Sequence, residues 1–314
     1  MSLKHIALAI WVALTVLFMA YALFVVQESS GHEIISSIVP HKEARVLFGG
    51  DMMFDRSIRQ YAQQYGGDYL FDCIDGTLAG ADLVVANLEG PITASPSVSV
   101  GSTPGGEGNF TFTFPISTAA LLLKHHIGLV NLGNNHIENF DSAGVVSTIH
   151  WLSDAGVQYF GDPINHTVVQ KDINGVKLSF INYNEFLPPG IGTASTTLAQ
   201  IRAEKDAGRM PVVYTHWGIE YATTAPAYVI ALAHQFVDAG AVAVIGSHPH
   251  VVEQSETYNN APIYYSLGNF IFDQYFSHDV THGLVAELTF TPSGVSNTRE
   301  IPIELSRDRK VCPL

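Results

Sequence analysis

Short apolar runs that each end in polar side chains recur along this chain, and they constrain its fold more than any other feature. Each run holds four or five residues, and five of the six are followed directly by Gly, Asn or His, while the sixth leads to Gly268 and Asn269. Runs of this length that are bounded by such residues predict buried β-strands. The six runs cover residues 45–48, 83–86, 128–132, 211–215, 241–245 and 263–266.

The segments between these runs predict helices and hairpins. An Asn-Gly turn at 174–175 joins 168–173 to 176–183 and predicts a hairpin, and 284–290 and 296–305 predict a closing antiparallel pair. Strands that alternate with helices are typical of an α/β sheet with helices on its faces, where ligands gather at the carboxyl ends of the strands. The predicted helices cover residues 118–126, 142–155 and 227–239.

The N-terminal segment predicts a single membrane-spanning helix. Residues 6–26 contain no charged side chain, and their length matches the ~20 residues that a helix needs to cross a bilayer core. Lys4 precedes this segment and Glu28 follows it, so the positive-inside rule places residues 1–5 in the cytoplasm and the rest outside the cell membrane.

A cleaved signal peptide is the alternative interpretation of this segment. Ala20-Tyr21-Ala22 has the small-x-small spacing of a cleavage site, although the apolar residues continue to Val26. Residues 27–43 are polar and predict a linker, and residues 44–314 predict one domain.

The charge of the chain excludes one class of partner. With 15 basic and 29 acidic residues the formal net charge is −14, which is unsuited to binding a nucleic-acid backbone. A phosphorylated or carboxylated substrate stays possible, because a bound metal reverses the local sign of the charge. The two cysteines, Cys73 and Cys312, could form a disulfide in an oxidising compartment, but their spacing does not decide this.

Oxygen and imidazole side chains follow five of the predicted strands. Each of them alone is more typical of a turn or a helix cap, but together they form the donor set that divalent cations require. His248 and His250 flank Pro249, and an extended conformation there would point both rings the same way. The predicted ligands of one or two divalent cations (Mn, Zn, Fe or Mg) are Asp51, Glu89, Asn135, His216, His248 and His250.

In their order along the chain, six motifs resemble those of the CapA/PgsA capsule-synthesis family, within the calcineurin-like metallophosphoesterase superfamily. The resemblance covers about residues 45–290. It implies a four-layer α/β/β/α sandwich with two mixed central sheets, and a role in the synthesis or export of poly-γ-glutamate or capsule. The motifs are Gly50-Asp51, Asn87-Leu88-Glu89-Gly90, Gly133-Asn134-Asn135-His136, His216-Trp217-Gly218, Gly246-Ser247-His248-Pro249-His250 and Ser266-Leu267-Gly268-Asn269-Phe270.

The resemblance also implies a role for individual residues. Asp51 corresponds to the first metal ligand, Glu89 takes the place of the usual bridging Asp, and Asn135 corresponds to a ligand of the second metal. His136 corresponds to the general acid or transition-state stabiliser, and the three later histidines to the remaining ligands. One departure is Met53, which stands where the superfamily has a histidine and is a poor substitute for imidazole.

Three side chains near these motifs are predicted to contact substrate. They are Arg56, Asn134 and Asn269. Arg56 could contact an anionic group, although its position is also typical of a solvated helix residue.

Three functions are consistent with these features. The first is a metal-dependent, phosphoesterase-like hydrolase that acts in capsule or poly-γ-glutamate synthesis or export. The second is a metal-dependent amidase that cuts a glutamate polymer. The third is a non-catalytic subunit of a membrane polymer synthesis or export complex, with other membrane subunits as its partners and a degenerate metal site.

Overall fold

A computed structural model of the protein describes residues 2, 4–5, 10–11, 13–21, 42–186 and 193–314. The chain forms two compact units, Met1–Lys42 and Glu43–Leu314. In the smaller unit, residues 13–21 are helical. The anchor predicted at 6–26 lies partly outside the described residues, and the predicted linker lies outside them except for residues 42 and 43. Among the helices in the described ranges, none combines the length and the apolar character that crossing a bilayer requires.

The larger unit contains a mixed sheet. One side of it is parallel and is formed by β1 (Ala44–Met52), β2 (Leu83–Leu88), β3 (Ile127–Asn131) and β4 (Gln158–Phe160), and the other side is antiparallel. A short strand, β11 (Asn269–Ile271), also pairs with β1 in parallel. In spatial order the remaining strands are β14 (Val311–Pro313), β13 (Gly294–Leu305), β12 (His282–Thr291), β1 (Ala44–Met52), β2 (Leu83–Leu88), β3 (Ile127–Asn131) and β4 (Gln158–Phe160).

A second mixed sheet is formed by the middle of the chain. Its four central strands are parallel, and an antiparallel strand closes each edge. In spatial order the strands are β5 (Val169–Ile173), β6 (Val176–Asn184), β7 (Met210–His216), β8 (Ala243–Ser247), β10 (Ala261–Tyr264) and β9 (Ser255–Tyr258).

Three hydrophobic clusters set the order of the layers. One contains side chains of the first sheet together with Ile58, Leu122 and Val145 of three helices that cover it. The second contains apolar side chains from both sheets, and the third joins the second sheet to the helices at 194–206 and 227–239. The helices are α1 (Arg56–Tyr65), α2 (Asp75–Leu78), α3 (Ser117–Lys124), α4 (Asp141–Ala155), α5 (Ala194–Asp206) and α6 (Ala227–Ala239).

The predicted α/β fold with two mixed sheets is therefore confirmed. All six predicted strands and three predicted helices are present within a few residues, as are the hairpin and the closing pair. Helices α1 and α5 were not predicted, because α1 is amphipathic but carries few apolar residues and α5 shows little apolar periodicity.

The two cysteines form a disulfide. Cys73 lies just before α2, and Cys312 lies in β14, 239 residues later in the chain. The bond therefore ties the helical layer of the first sheet to the last strand of that sheet.

Candidate metal centre

Asp51 and Glu89 bring two carboxylates together at the carboxyl ends of neighbouring strands. Asp51 lies near the end of β1, and Glu89 directly follows β2, which runs parallel to β1. Neither side chain is exposed to solvent. One ligand atom of each carboxylate and one ring nitrogen of His216 all lie within 4.8 Å of one another. This buried group could hold a metal ion.

Gly50 allows β1 to approach the segment before β11 closely enough to place Asp51. The backbone N–H of Asp51 donates to the carbonyl oxygen of Gly268 over 3.1 Å. A Cβ atom on Gly50 would lie only 1.8 Å from that oxygen, which no side chain can tolerate. Glycine is therefore required at position 50 for steric reasons.

The second sheet supplies three buried imidazoles. His216 is the last residue of β7, and His248 and His250 follow β8. His248 Nδ1 lies 3.2 Å from His216 Nε2. His250 Nδ1 lies 3.4 Å from Asp51 Oδ2, and its Nε2 lies 3.5 Å from Glu89 Oε1. The two sheets thus contribute to one cluster of donors.

The extended conformation predicted for the His-Pro-His segment is wrong. His248 and His250 have φ angles of 101° and 60°, in the left-handed region that non-glycine residues rarely adopt. The chain turns tightly here, and the backbone N–H of His248 donates to Asp51 Oδ2 over 3.1 Å. Such backbone strain costs on the order of 1–3 kcal/mol per residue and is concentrated at functional sites.

Asn135 and His136 approach the same cluster from the loop after β3. Asn135 Oδ1 lies 2.9 Å from His216 Nε2. His136 Nε2 lies 3.9 Å from Glu89 Oε1, and its ring packs on Phe112 with 4.5 Å between centroids. All seven residues predicted as metal ligands or as the general acid therefore meet at one edge of the two sheets.

Asn139 fixes the tautomer of His136. Its Oδ1 accepts the backbone N–H of Phe112 over 2.8 Å, and His136 Nδ1 lies 3.2 Å from the same oxygen. The N–H of Phe112 identifies this atom as the amide oxygen, which can only accept, so Nδ1 of the ring carries the proton in the neutral imidazole. The Nε2 atom, which faces Glu89, then has a free lone pair and becomes a donor only when the ring is protonated.

Asn87 is a central residue of the site to which sequence analysis assigned no role. Its Nδ2 donates to Asp51 Oδ1 over 2.8 Å and lies 3.5 Å from Glu89 Oε2. Its Oδ1 accepts from Asn131 Nδ2 over 2.9 Å and from Asn134 Nδ2 over 3.1 Å. The only sequence signal was its place beside Glu89 at the end of a predicted strand.

Asn134 and Asn269, which were predicted to contact substrate, lie beneath the metal ligands. Asn134 also donates to the carbonyl oxygen of Leu88 over 2.8 Å, and Asn269 Oδ1 lies 3.0 Å from His250 Nδ1. Neither side chain is more than 2% exposed. Both therefore orient neighbouring groups, and a contact of either with substrate stays a prediction.

Arg56, the third residue predicted to contact substrate, is not a solvated helix residue. Its guanidinium forms an ion pair with Asp273 over 2.5 Å, and only 13% of its side chain is exposed. It lies on the wall of a cleft beside the metal ligands.

Burial and mutual repulsion control the charges in the cluster. Burial raises the pKa of Glu89 well above its usual range, and the charge of Asp51 adds to this. Burial opposes ionisation of Asp51 as well, but hydrogen bonding to His250 and the neighbouring imidazoles outweigh it and lower the pKa of Asp51. Burial also lowers the pKa of His216 well below its usual range, and it lowers the pKa of His136 and His248 to about 4.

The residues present fit a divalent cation. Glu89 Oε1 is buried and has no hydrogen-bond partner among the described residues, which is rare for a native carboxylate. Two adjacent carboxylates are stabilised by a cation between them, and neutral imidazoles are good ligands for Zn or Fe. The donor set thus provides both charge compensation and nitrogen ligands for a metal.

Comparison with known proteins places the chain in a family. A family model described as bacterial capsule synthesis protein PGA_cap matches residues 45–274, which is more than half of the chain. The chain belongs to this capsule synthesis family. Every predicted metal ligand of this family member lies within the matched region.

Curated relatives of this chain carry related names. Over 269 residues it is 29% identical to the capsule biosynthesis protein CapA of Bacillus anthracis, covering 79% of this chain and 65% of that protein. Over 274 residues it is 25% identical to the PGA biosynthesis protein CapA of Bacillus subtilis, covering 82% of this chain and 70% of that protein. The chain therefore spans somewhat less than two thirds of the length of the B. anthracis relative.

Solved structures share the fold at low identity. A hypothetical protein from Thermus thermophilus superposes with a TM-score of 0.55 at 19% identity, covering 83% of this chain and 99% of that one. A phosphatase from Mycoplasma pneumoniae superposes with a TM-score of 0.51 at 13% identity, covering 84% and 94% respectively.

Met53 marks where this family member departs from the metallophosphoesterase pattern. Its side chain is fully buried, and its sulfur accepts the backbone N–H of Asp55 over 3.0 Å. Met53 is therefore part of the core and leaves one ligand position of that pattern without an imidazole.

Proposed function

We propose that this capsule synthesis protein acts in the synthesis or export of capsular poly-γ-glutamate through a divalent-metal-dependent hydrolase site. The observation that carries the proposal is the buried group formed by Asp51, Glu89 and His216. Family membership and the names of the Bacillus relatives support the biological role.

The residues of the site have distinct tasks in this proposal. Asp51, Glu89, Asn135 and the three imidazoles would hold one or two cations. When bound, a divalent cation supplies Lewis acidity and lowers the pKa of water. His136, oriented by Asn139, faces the carboxylates through Nε2 and can accept a proton there, then return it to a leaving oxygen or nitrogen.

The disulfide supports an extracytoplasmic location for the larger unit. Disulfides such as Cys73–Cys312 persist mainly in oxidising compartments. We propose that residues 6–26 anchor the chain in the cell membrane with the larger unit outside, where it would meet an exported polymer and the other membrane subunits of an export complex. Protease accessibility of the larger unit in intact cells tests this topology.

Metal content and hydrolysis test the enzymatic proposal. We expect purified protein to bind Mn, Zn, Fe or Mg, and a Glu89→Gln variant to lose at least about tenfold in metal affinity, because one charged ligand is removed. A generic phosphodiester and poly-γ-glutamate serve as alternative substrates that distinguish a phosphoesterase from an amidase. The proposal fails if the full chain binds none of these metals under conditions where it is folded.

A non-catalytic role in a polymer export complex is the second candidate, and the buried Met53 favours it. Loss of an imidazole weakens a metal position without disturbing the fold. Complementation of a deletion strain separates the two candidates. If a His136→Ala variant restores polymer output to the wild-type level, the scaffold role is favoured, whereas a loss of output in a stably expressed variant favours catalysis.

A further inference from the structure

A cleft of about 570 Å³ opens beside the metal ligands. Its walls come from the loop before α3, the turn after β7 and the segment after β11. The ring of Tyr221 connects the cleft to the site, since its centroid lies 6.1 Å from that of His250. The lining residues include Arg56, Asn109, Tyr221, Asp273, Gln274 and Phe276.

Arg56 is held against the aromatic floor that separates the cleft from the histidines. Its guanidinium carbon lies 5.1 Å from the ring centre of Phe112 and 5.5 Å from that of Phe272. Those two rings in turn pack on His136 and His250, with centroid distances of 4.5 and 4.8 Å. The guanidinium is therefore one layer of aromatic rings away from the metal ligands.

The backbone of Arg56 is strained. Its φ angle is 47°, in the left-handed region that is unfavourable for residues other than glycine. Strain of this kind persists only where surrounding contacts enforce it, and it is concentrated at binding and catalytic sites.

The carboxylate of Asp273 accepts hydrogen bonds from a set of donors that would suit any oxyanion. Asp273 Oδ1 accepts from Arg56 Nη2 over 2.5 Å. Its Oδ2 accepts from the backbone N–H of Ser57 over 3.1 Å and from Ser57 Oγ over 2.9 Å. A positive charge, a hydroxyl and a backbone N–H thus surround one of the protein's own carboxylates.

The donors of Arg56 are only partly used by this contact. Its Nε is buried without an acceptor among the described residues, and Nη1 makes a long contact of 3.3 Å to Asn109 Oδ1. Of the lining residues, all of which lie in the described part of the chain, Arg56 alone carries a positive charge. Tyr221 Oη accepts from Gln274 Nε2 over 3.1 Å, so its own proton is free to be donated into the cleft.

We propose that Arg56, Ser57 and Tyr221 form an oxyanion subsite for the substrate, in which a carboxylate or phosphate group replaces Asp273 on the guanidinium. This inference rests on the proposed function, because it describes how the substrate of that site is selected. Exchange of one carboxylate for another keeps the largely buried guanidinium paired with a negative charge, so the ion pair is replaced and not lost. The subsite selects substrate molecules that carry an anionic group at a fixed distance from the bond to be cleaved at the metal site.

Anion binding by the metal-free full chain tests the subsite independently of metal chemistry. Glutarate and inorganic phosphate are the two probes, each titrated calorimetrically in the presence of a chelator. We expect an Asp273→Asn variant to bind one of the probes at least about tenfold more tightly than wild type, because the competing charge is gone. Tighter binding of glutarate identifies a carboxylated substrate, and tighter binding of phosphate identifies a phosphorylated one.

Variants of the arginine complete the test. Arg56→Ala should abolish the binding, and Arg56→Lys should weaken it, because lysine cannot form a bidentate contact. Arg299→Ala is the matched control, since Arg299 also pairs with a carboxylate, that of Glu287, but does not line the cleft. The proposal is overturned if Asp273→Asn gains no affinity for either probe, or if folded Arg56→Lys and Arg56→Ala proteins bind as wild type does. Failure of metal binding would leave this result unaffected.

Discussion

Asn87 begins a ladder of amide side chains that links the two sheets beneath the metal ligands. It donates to Asp51, accepts from Asn131, and Asn131 in turn accepts from Asn182 Nδ2 of the second sheet over 2.9 Å. Each amide contributes both a donor and an acceptor without adding charge. The ladder therefore orients an ionised carboxylate in a buried site while leaving its charge available to a cation.

Glu253 is a buried acid that the proposed chemistry does not use. Its side chain is 6% exposed, and neither carboxylate oxygen has a hydrogen-bond partner among the described residues. Burial raises the pKa of Glu253 from 4.5 to about 7. The folded protein therefore holds a proton on Glu253 that the unfolded chain releases.

The proton on Glu253 predicts a pH dependence of stability. Because the pKa is higher in the folded state, its contribution is fully present below pH 4.5 and is lost as the pH rises through about 7. We expect a loss on the order of 2 kcal/mol in the free energy of unfolding across that window. Urea unfolding at pH 5 and pH 8 measures it. A Glu253→Gln variant should remove this part of the pH dependence, and an unchanged slope in that variant would contradict the assignment.

At the scale of elements, the metal centre depends on how closely strand ends approach one another. The turn that contains His248 and His250 adopts strained φ angles, and β1 passes the Gly268 carbonyl with no room for a Cβ atom. Both features bring candidate ligands from separate elements close enough together to bind one metal ion.

A Gly50→Ala variant tests the close approach of β1. Its new methyl group would meet a backbone oxygen, so β1 or the facing segment must move. We expect a loss of about 3 kcal/mol in stability, measured by denaturant unfolding, together with weaker metal binding. Gly76→Ala is the matched control, because no atom lies within 4 Å of its added Cβ and it is in a helix. Equal stability of the two variants would show that the contact is not limiting.

At the scale of the whole molecule, the Cys73–Cys312 disulfide cross-links distant parts of the larger unit. The bond joins positions 239 residues apart and restricts the unfolded chain. We expect a Cys73→Ser, Cys312→Ser double variant to lose on the order of 4 kcal/mol of stability. Thermal unfolding with and without reductant measures the effect. Reductant should lower the melting temperature of the wild type and leave the double variant unchanged, and a wild type insensitive to reductant would contradict the prediction.

The sequence by itself determined the central strands of this protein, three of its helices and the donor residues of its candidate metal centre. Strands such as β2 and β8 follow from local apolar runs, and the predicted ligands Glu89 and His248 each lie three residues after such a run. These features are local, since they depend on side-chain periodicity and on the residue at which a strand ends.

Only the tertiary structure decided which side chains support those ligands. Asn87 contacts Asp51, and Arg56 pairs with Asp273, although the members of each pair are far apart in the chain. Glu253, in contrast, is buried without a hydrogen-bond partner among the described residues. The packing of loops and the pairing of strands that are distant in the chain set these distances, and a local sequence pattern does not specify them. The left-handed conformation of His248 was missed for the same reason, because contacts with the other sheet enforce it against the local preference of the chain.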